Sequence, residues 1–123
     1  MESENKCLGV YPTLAASDVT ETCNWYVEKL GFKIRFILGE PPVHGAILFD
    51  EACVHFRKGT PQLNDNWLYF HITDVDAMHE HAKAKGVEIT LEPESKPWGM
   101  REFNAIDLNG YQIRFGQNLG DAG

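Results

Sequence analysis

The 123-residue chain repeats itself, and that constrains its fold more than anything else in the sequence. A pattern of strand, Asp-Val, helix, Gly-apolar, strand and hairpin occurs twice. Asp18-Val19 returns as Asp74-Val75, 56 residues on (74 − 18). Gly31-Phe32 returns as Gly86-Val87, 55 on, and Val54-His55-Phe56 as Ile113-Arg114-Phe115, 59 on. Phase is kept at both ends, so the two halves are copies of one supersecondary unit. Module one spans about 8–58 and module two about 67–117, within a single domain over 1–123. The polar stretch Lys58 to Asn66, with Gly59 and Pro61, connects them.

Local signals place the elements. Val10 to Ala16 reads as a strand. Asp18 is a good N-cap, with Glu21 three residues later as in a capping box. The helix runs to Leu30 and Gly31 ends it. Strands follow over 32–38, 43–49 and 52–57. In module two a strand covers 67–73, Asp74 caps a helix that Gly86 ends, and a strand covers 87–91. A loop is expected over 92–96, and residues 118–123 read as a frayed end.

Composition narrows the class. A hydrophobic content of 43% suits one compact domain. A chain of this size buries roughly 65–70% of its unfolded surface and needs no staple. Cys7, Cys23 and Cys53 are odd in number and lack C-x-x-C spacing, which reads as reduced thiols. A net charge of −7 argues against a nucleic-acid partner. Met1 to Lys6 is polar, without a signal core, and no run spans a bilayer, so no membrane partner and a cytoplasmic location are expected. No phosphate-cradling glycine loop, nucleotide fingerprint or Ser-His-Asp order is present.

Pro97 to Gly116 carries the most specific signal. Pro97-Trp98-Gly99 marks a loop, and Asp107-Leu108-Asn109-Gly110 is a turn whose Asn-Gly tolerates positive φ. Tyr111, Ile113 and Phe115 then alternate with Gln112, Arg114 and Gly116, as in a half-buried strand. This stretch resembles the closing hairpin of the glyoxalase / bleomycin resistance protein / extradiol dioxygenase superfamily, the vicinal oxygen chelate fold. Its P-W-G-x-R-E-F loop, D-x-x-G turn and following strand resemble the bleomycin resistance proteins in particular. The resemblance implies an α+β fold of two βαβββ modules. Each is a curved mixed sheet with its helix on the convex side, and the two form a cup-shaped pocket, often with a second chain completing it. A sheet with one helix cannot cover both its faces, which is why modules pair.

The superfamily's enzymes hold a divalent metal with His, Gln and Glu side chains on the first and last strand of each module. Carried onto this chain, those four places hold Tyr11, His55, Trp67 and Arg114. An indole does not ligate and a guanidinium repels a cation, so neither metal nor cofactor is expected. His79 and His81 lie two apart on a helix and point to different faces. His44, beside a turn, is expected to be solvated.

Strand alternation gives the lining of the cup. Tyr11, Thr13 and Ala15 face it, as do Cys53, His55 and Arg57, then Trp67, Tyr69 and His71, and finally Gln112 and Arg114. Leu68, Phe70 and Ile72 should lie under the helices, and Trp98 sits on the rim. The resemblance gives Tyr69, His71 and Trp98 positions that line the drug groove at the dimer interface of the bleomycin resistance proteins. If Arg57, Arg114 and His55 point inward, the floor is positive. It then needs a carboxylate, from Glu102 or from an anionic ligand. The expected function is a metal-free homodimer that sequesters a bleomycin-like drug or an aromatic or carboxylate metabolite. The alternative is a glyoxalase-type lyase or isomerase, or a dioxygenase. As a metal-free enzyme it would use His55 as general base, with Arg57 or Arg114 holding an enolate or carboxylate.

Overall fold

The structure is a computed structural model and describes residues 5–120. Met1 to Glu4, and residues 121–123 of the predicted frayed end, lie outside it. Module one is β1 (Thr13–Ala16), α1 (Val19–Leu30), β2 (Lys33–Leu38), β3 (His44–Phe49) and β4 (Ala52–Lys58). Module two is β5 (Trp67–His71), α2 (Val75–Ala84), β6 (Glu88–Ser95), β7 (Met100–Ile106) and β8 (Gln112–Asn118). The sheets are ordered β1-β4-β3-β2 and β5-β8-β7-β6, one topology used twice. In each, the first strand pairs in parallel with the last, and the remaining neighbours are antiparallel.

The helix ends follow from their caps. Asp18 has extended backbone, and its carboxylate accepts from the Glu21 amide at 2.9 Å. Asp74 does the same for Ala77 at 3.0 Å. Gly31 closes α1 in the left-handed region at φ 78°, which a side chain would disfavour. The acceptors satisfy amides that the first turn of a helix leaves without partners.

Three boundaries differ from expectation. β1 begins at Thr13 rather than Val10, so Tyr11 precedes the strand. β6 continues through Glu92 to Ser95, where a loop was expected, and Pro93 is tolerated because β6 is an edge strand with an irregular register there. β8 extends to Asn118.

Burial alternates along β5: Leu68 and Phe70 are buried, while Trp67, Tyr69 and His71 are exposed. Ile72 packs on the core, so all three expected residues lie on the helix side. One core serves both modules. Phe32 of module one meets Phe70 of module two edge-on at 5.3 Å, α1 packs on α2, and Phe56, Phe103 and Phe115 are fully buried. Polar contacts pin the modules at one end. Tyr26 donates to Asp107 at 2.6 Å, Tyr111 to the Ala15 carbonyl at 2.7 Å, and Asn109 to Thr22 at 2.9 Å. Pairing therefore covers the helix side of each sheet. The opposite faces stay open in the single chain, and they carry the candidate site.

Candidate functional site

The open face of module two is built on cross-strand register. Trp67 sits beside Gln112, Tyr69 beside Arg114 and Asn104 beside Arg114. Trp67 and Tyr69 are 45% and 46% exposed, unusual for aromatic rings of this size unless something covers them. Glu102 on β7 is almost fully buried. It accepts from the Tyr69 hydroxyl at 2.8 Å, and its second oxygen lies 3.3 Å from an Arg114 Nη1 as an ion pair rather than an aligned hydrogen bond. The Arg114 Nε donates to Asn104 at 2.8 Å, and its guanidinium lies 4.8 Å from the Trp67 ring centre. Burial, and then the hydrogen bond to Glu102, push the Tyr69 phenol up to about 12. Gly116 makes this possible: a Cβ there would overlap the Tyr69 hydroxyl. The expected carboxylate for Arg114 is thus Glu102.

The open face of module one uses the equivalent positions differently. His44 and His55 stand where module two has Glu102 and Arg114. Their rings share a 2.9 Å hydrogen bond between His44 Nε2 and His55 Nδ1. His44, expected to be solvated, is only half-exposed: it lies diagonally across the β3–β4 ladder from His55 and spends one ring nitrogen on it. Tyr11 stacks on His55 with centroids 5.8 Å apart, and Phe36 meets it edge-on at 5.5 Å. The His55 Nε2 is buried without a hydrogen-bond partner. Arg35 donates to the Cys53 sulfur at 3.7 Å. Thr13 and Arg57 lie on the same face, both exposed. Gln112 is half-buried on the module-two face, and Trp98 is 62% exposed at the tip of the β6–β7 loop.

Burial lowers the His55 pKa below its ordinary 6.5, and the neighbouring His44 and Arg35 lower it further. The sign follows from linkage. As pH falls through 6.5 the unfolded chain takes up this proton before the folded one does. The contribution of His55 is therefore complete above that pH and declines as pH falls toward the lowered folded value. Urea midpoints measured from pH 7.5 to 5 should drop less for His55→Gln than for the wild type; parallel curves would contradict the assignment.

The four places that resemblance assigns to metal ligands come together in pairs, Tyr11 with His55 and Trp67 with Arg114. The donor set does not fit a divalent ion: one imidazole and one phenol stand in one module, an indole and a paired guanidinium in the other. Among the described residues no group of three or more His, Cys, Asp or Glu is placed to hold one. Sequence reasoning missed His44, Asn104 and Phe36. Register alone would have found the first two, since each lies beside or diagonal to a residue already singled out.

Two four-stranded mixed sheets with this repeated order define the class. Residues 10–115 match the family described as the Glyoxalase/Bleomycin resistance protein/Dioxygenase superfamily, and the chain belongs to it. Solved structures agree on the fold. A glyoxalase-related enzyme from Clostridium phytofermentans is 22% identical, with 95% of this chain and 99% of that one covered and a TM-score of 0.81. A bleomycin-binding protein from Streptomyces verticillus, solved with copper(II)-bleomycin, is 25% identical, with 90% and 96% covered and a TM-score of 0.74. A fosfomycin resistance protein, FosX, from Listeria monocytogenes, solved with manganese(II), is 19% identical, with 91% and 90% covered and a TM-score of 0.70. No curated protein sequence matches the chain.

Proposed function

We propose that the protein binds a small molecule without a metal, sequestering a drug or aromatic metabolite against an aromatic-lined groove of a homodimer. The observation that carries this is the open face of module two, where Trp67 and Tyr69 stand exposed over an ion pair that already neutralises Arg114. Flat rings at low entropic cost suit a planar ligand. A second copy would cover faces that a single chain leaves in water. The bleomycin-binding relative supports a bleomycin-like ligand, and the balanced Arg114 removes the charge objection to a cationic drug on this face. No helix of the described residues is long and apolar enough to cross a membrane; a cytoplasmic location is part of the proposal.

Titrating metal-stripped protein with metal-free bleomycin, followed by tryptophan fluorescence, tests it. Saturation at micromolar concentration or below, about −8 kcal/mol, at one drug per chain is expected. No change up to millimolar drug overturns the drug reading. Trp98→Ala and Tyr69→Ala should each weaken binding by about 1–3 kcal/mol, the range of aromatic anchors; unchanged affinity in both would remove the groove. Sedimentation at the same concentrations should show a dimer.

One observation favours a second reading, a metal-free lyase or isomerase. His44 and His55 share a hydrogen bond. In the tautomer in which His55 Nδ1–H donates to His44, the partnerless His55 Nε2 holds the free lone pair of a general base, once a substrate or a side-chain movement uncovers it. Turnover of a small oxygenated substrate that His55→Gln abolishes would establish it.

A further inference from the structure

The internal repeat allows each end of the module seam to be compared with its counterpart. At one end the β7–β8 turn docks on module one. Tyr111 is buried there, and its hydroxyl donates to the Ala15 carbonyl at the outer edge of β1. Tyr26, also buried, donates to Asp107, and the Ser17 amide donates to Asn109 at 3.3 Å. At the other end the β3–β4 turn faces β5. The repeat puts Ala52 where Tyr111 stands, 59 residues apart, and Ala82 where Tyr26 stands, 56 apart. Phe49 takes the place of Asp107, but its ring leans on Phe32 at 4.8 Å. Two buried tyrosines at one end are thus two alanines at the other.

A cavity of about 450 Å³ opens at that second end, within the range of roughly 300–1,000 Å³ typical of ligand pockets. Phe49, Ala52, Phe70 and Ile72 supply its apolar walls, Asp50 and Glu51 contribute from the turn, and Tyr69 and Thr73 of the β5 segment complete the lining. His71, the counterpart of Ala15, borders it. The Ile72 amide donates to the Gly116 carbonyl at 2.8 Å, so the alternation of a parallel ladder turns the His71 carbonyl to the outer edge of β5. Neither Asp50 nor Glu51 takes part in the ion pairs formed among the described residues.

We infer that this seam cavity is a second binding site for a small phenolic amine, reached around the edge of β5 and sharing only Tyr69 and His71 with the module-two open face. The ring occupies the space that Tyr111 fills at the opposite end. The hydroxyl donates to the His71 carbonyl, as Tyr111 does to Ala15. The ammonium sits beside Asp50 and Glu51, which stand where the main chain of Tyr111 enters its own turn. The apolar walls account for the ring, and two adjacent carboxylates for the cation.

The probe is tyramine, titrated into the ¹⁵N-labelled full chain, with 2-phenylethylamine and 4-methylphenol as controls. Saturable shifts at Ala52, His71 and Ile72 with Kd below about 1 mM are expected, and each control should bind roughly tenfold more weakly for lack of one polar group. Ala52→Tyr, which supplies the ring from within, should abolish binding. If that variant does not fold, the turn variant Asp50→Asn with Glu51→Gln should lose about tenfold through the missing charge. Trp98→Ala should leave tyramine binding unchanged, so failure here and failure of the groove are distinguishable. No shift up to about 10 mM, shifts confined to Trp67 and Trp98, or wild-type affinity in both seam variants would each overturn the inference.

Discussion

Asp107→Ala should be the most damaging single change in the module seam, lowering stability by about 3–5 kcal/mol. Its carboxylate accepts from the buried Tyr26 hydroxyl at 2.6 Å and from the amides of Asn109 and Tyr111, both at 2.9 Å. Removing it orphans three donors, each costing about 1–3 kcal/mol when buried and not fully additive. Burial dominates the titration on both sides. It raises the Tyr26 phenol well above its ordinary value, with the Asp107 charge adding to the effect. It raises the Asp107 carboxyl as well, against the pull of its hydrogen bonds. A site that already penalises charge tolerates a neutral acceptor, so Asp107→Asn should retain most of the stability. Urea denaturation of the two variants checks this. Equal losses would mean that the seam depends on the charge rather than on satisfied donors.

Glu102→Ala should cost about 2–3 kcal/mol and should also change what the open face binds. Breaking a fully buried ion pair costs about 3–5 kcal/mol. Here the Arg114 side chain is 29% exposed, so water recovers part of that. The Tyr69 hydroxyl loses its acceptor too. Its ionisation should then fall from about 12 toward the ordinary 10, which alkaline ultraviolet absorption reads directly. Arg114, freed of its counter-charge, should now hold an aromatic carboxylate that the wild type ignores. If the variant gains no affinity for such an acid, Arg114 is not directed at the groove.

The parts legible in the sequence were those set by neighbours along the chain. Asp18, Gly31, Asp74 and Gly86 bracket the helices because capping is local, and the repeat of these brackets gave the two-module architecture. Alternation placed Leu68 and Phe70 inside and Trp67 and Tyr69 outside because the pleat has period two. What escaped depended on register between strands. The two-residue turn at Asp50-Glu51 sets Ala46 opposite His55, and so brings His44 diagonally onto it. Nothing near His44 in the chain announces that. The polar run Glu92 to Ser95 read as a loop because Pro93 breaks most strands, yet an outer strand has one side free of ladder bonds. The ten candidate binding residues fall on both open faces and the β6–β7 loop, and composition alone does not tell which of those faces a partner covers.

The duplicated halves have kept one topology and diverged in chemistry at the same two positions. Module one holds a hydrogen-bonded imidazole pair in which burial lowers the His55 pKa below its ordinary value; module two holds a guanidinium locked to a carboxylate. In the homodimer proposed above, a compound held between the module-one face of one copy and the module-two face of the other would meet two unlike surfaces. It therefore has a single preferred way round, and turning it over would exchange a soft, proton-accepting contact for a permanently ionic one. Duplication here yields polarity: two copies of one scaffold give a single chain two open faces of opposite chemical kind.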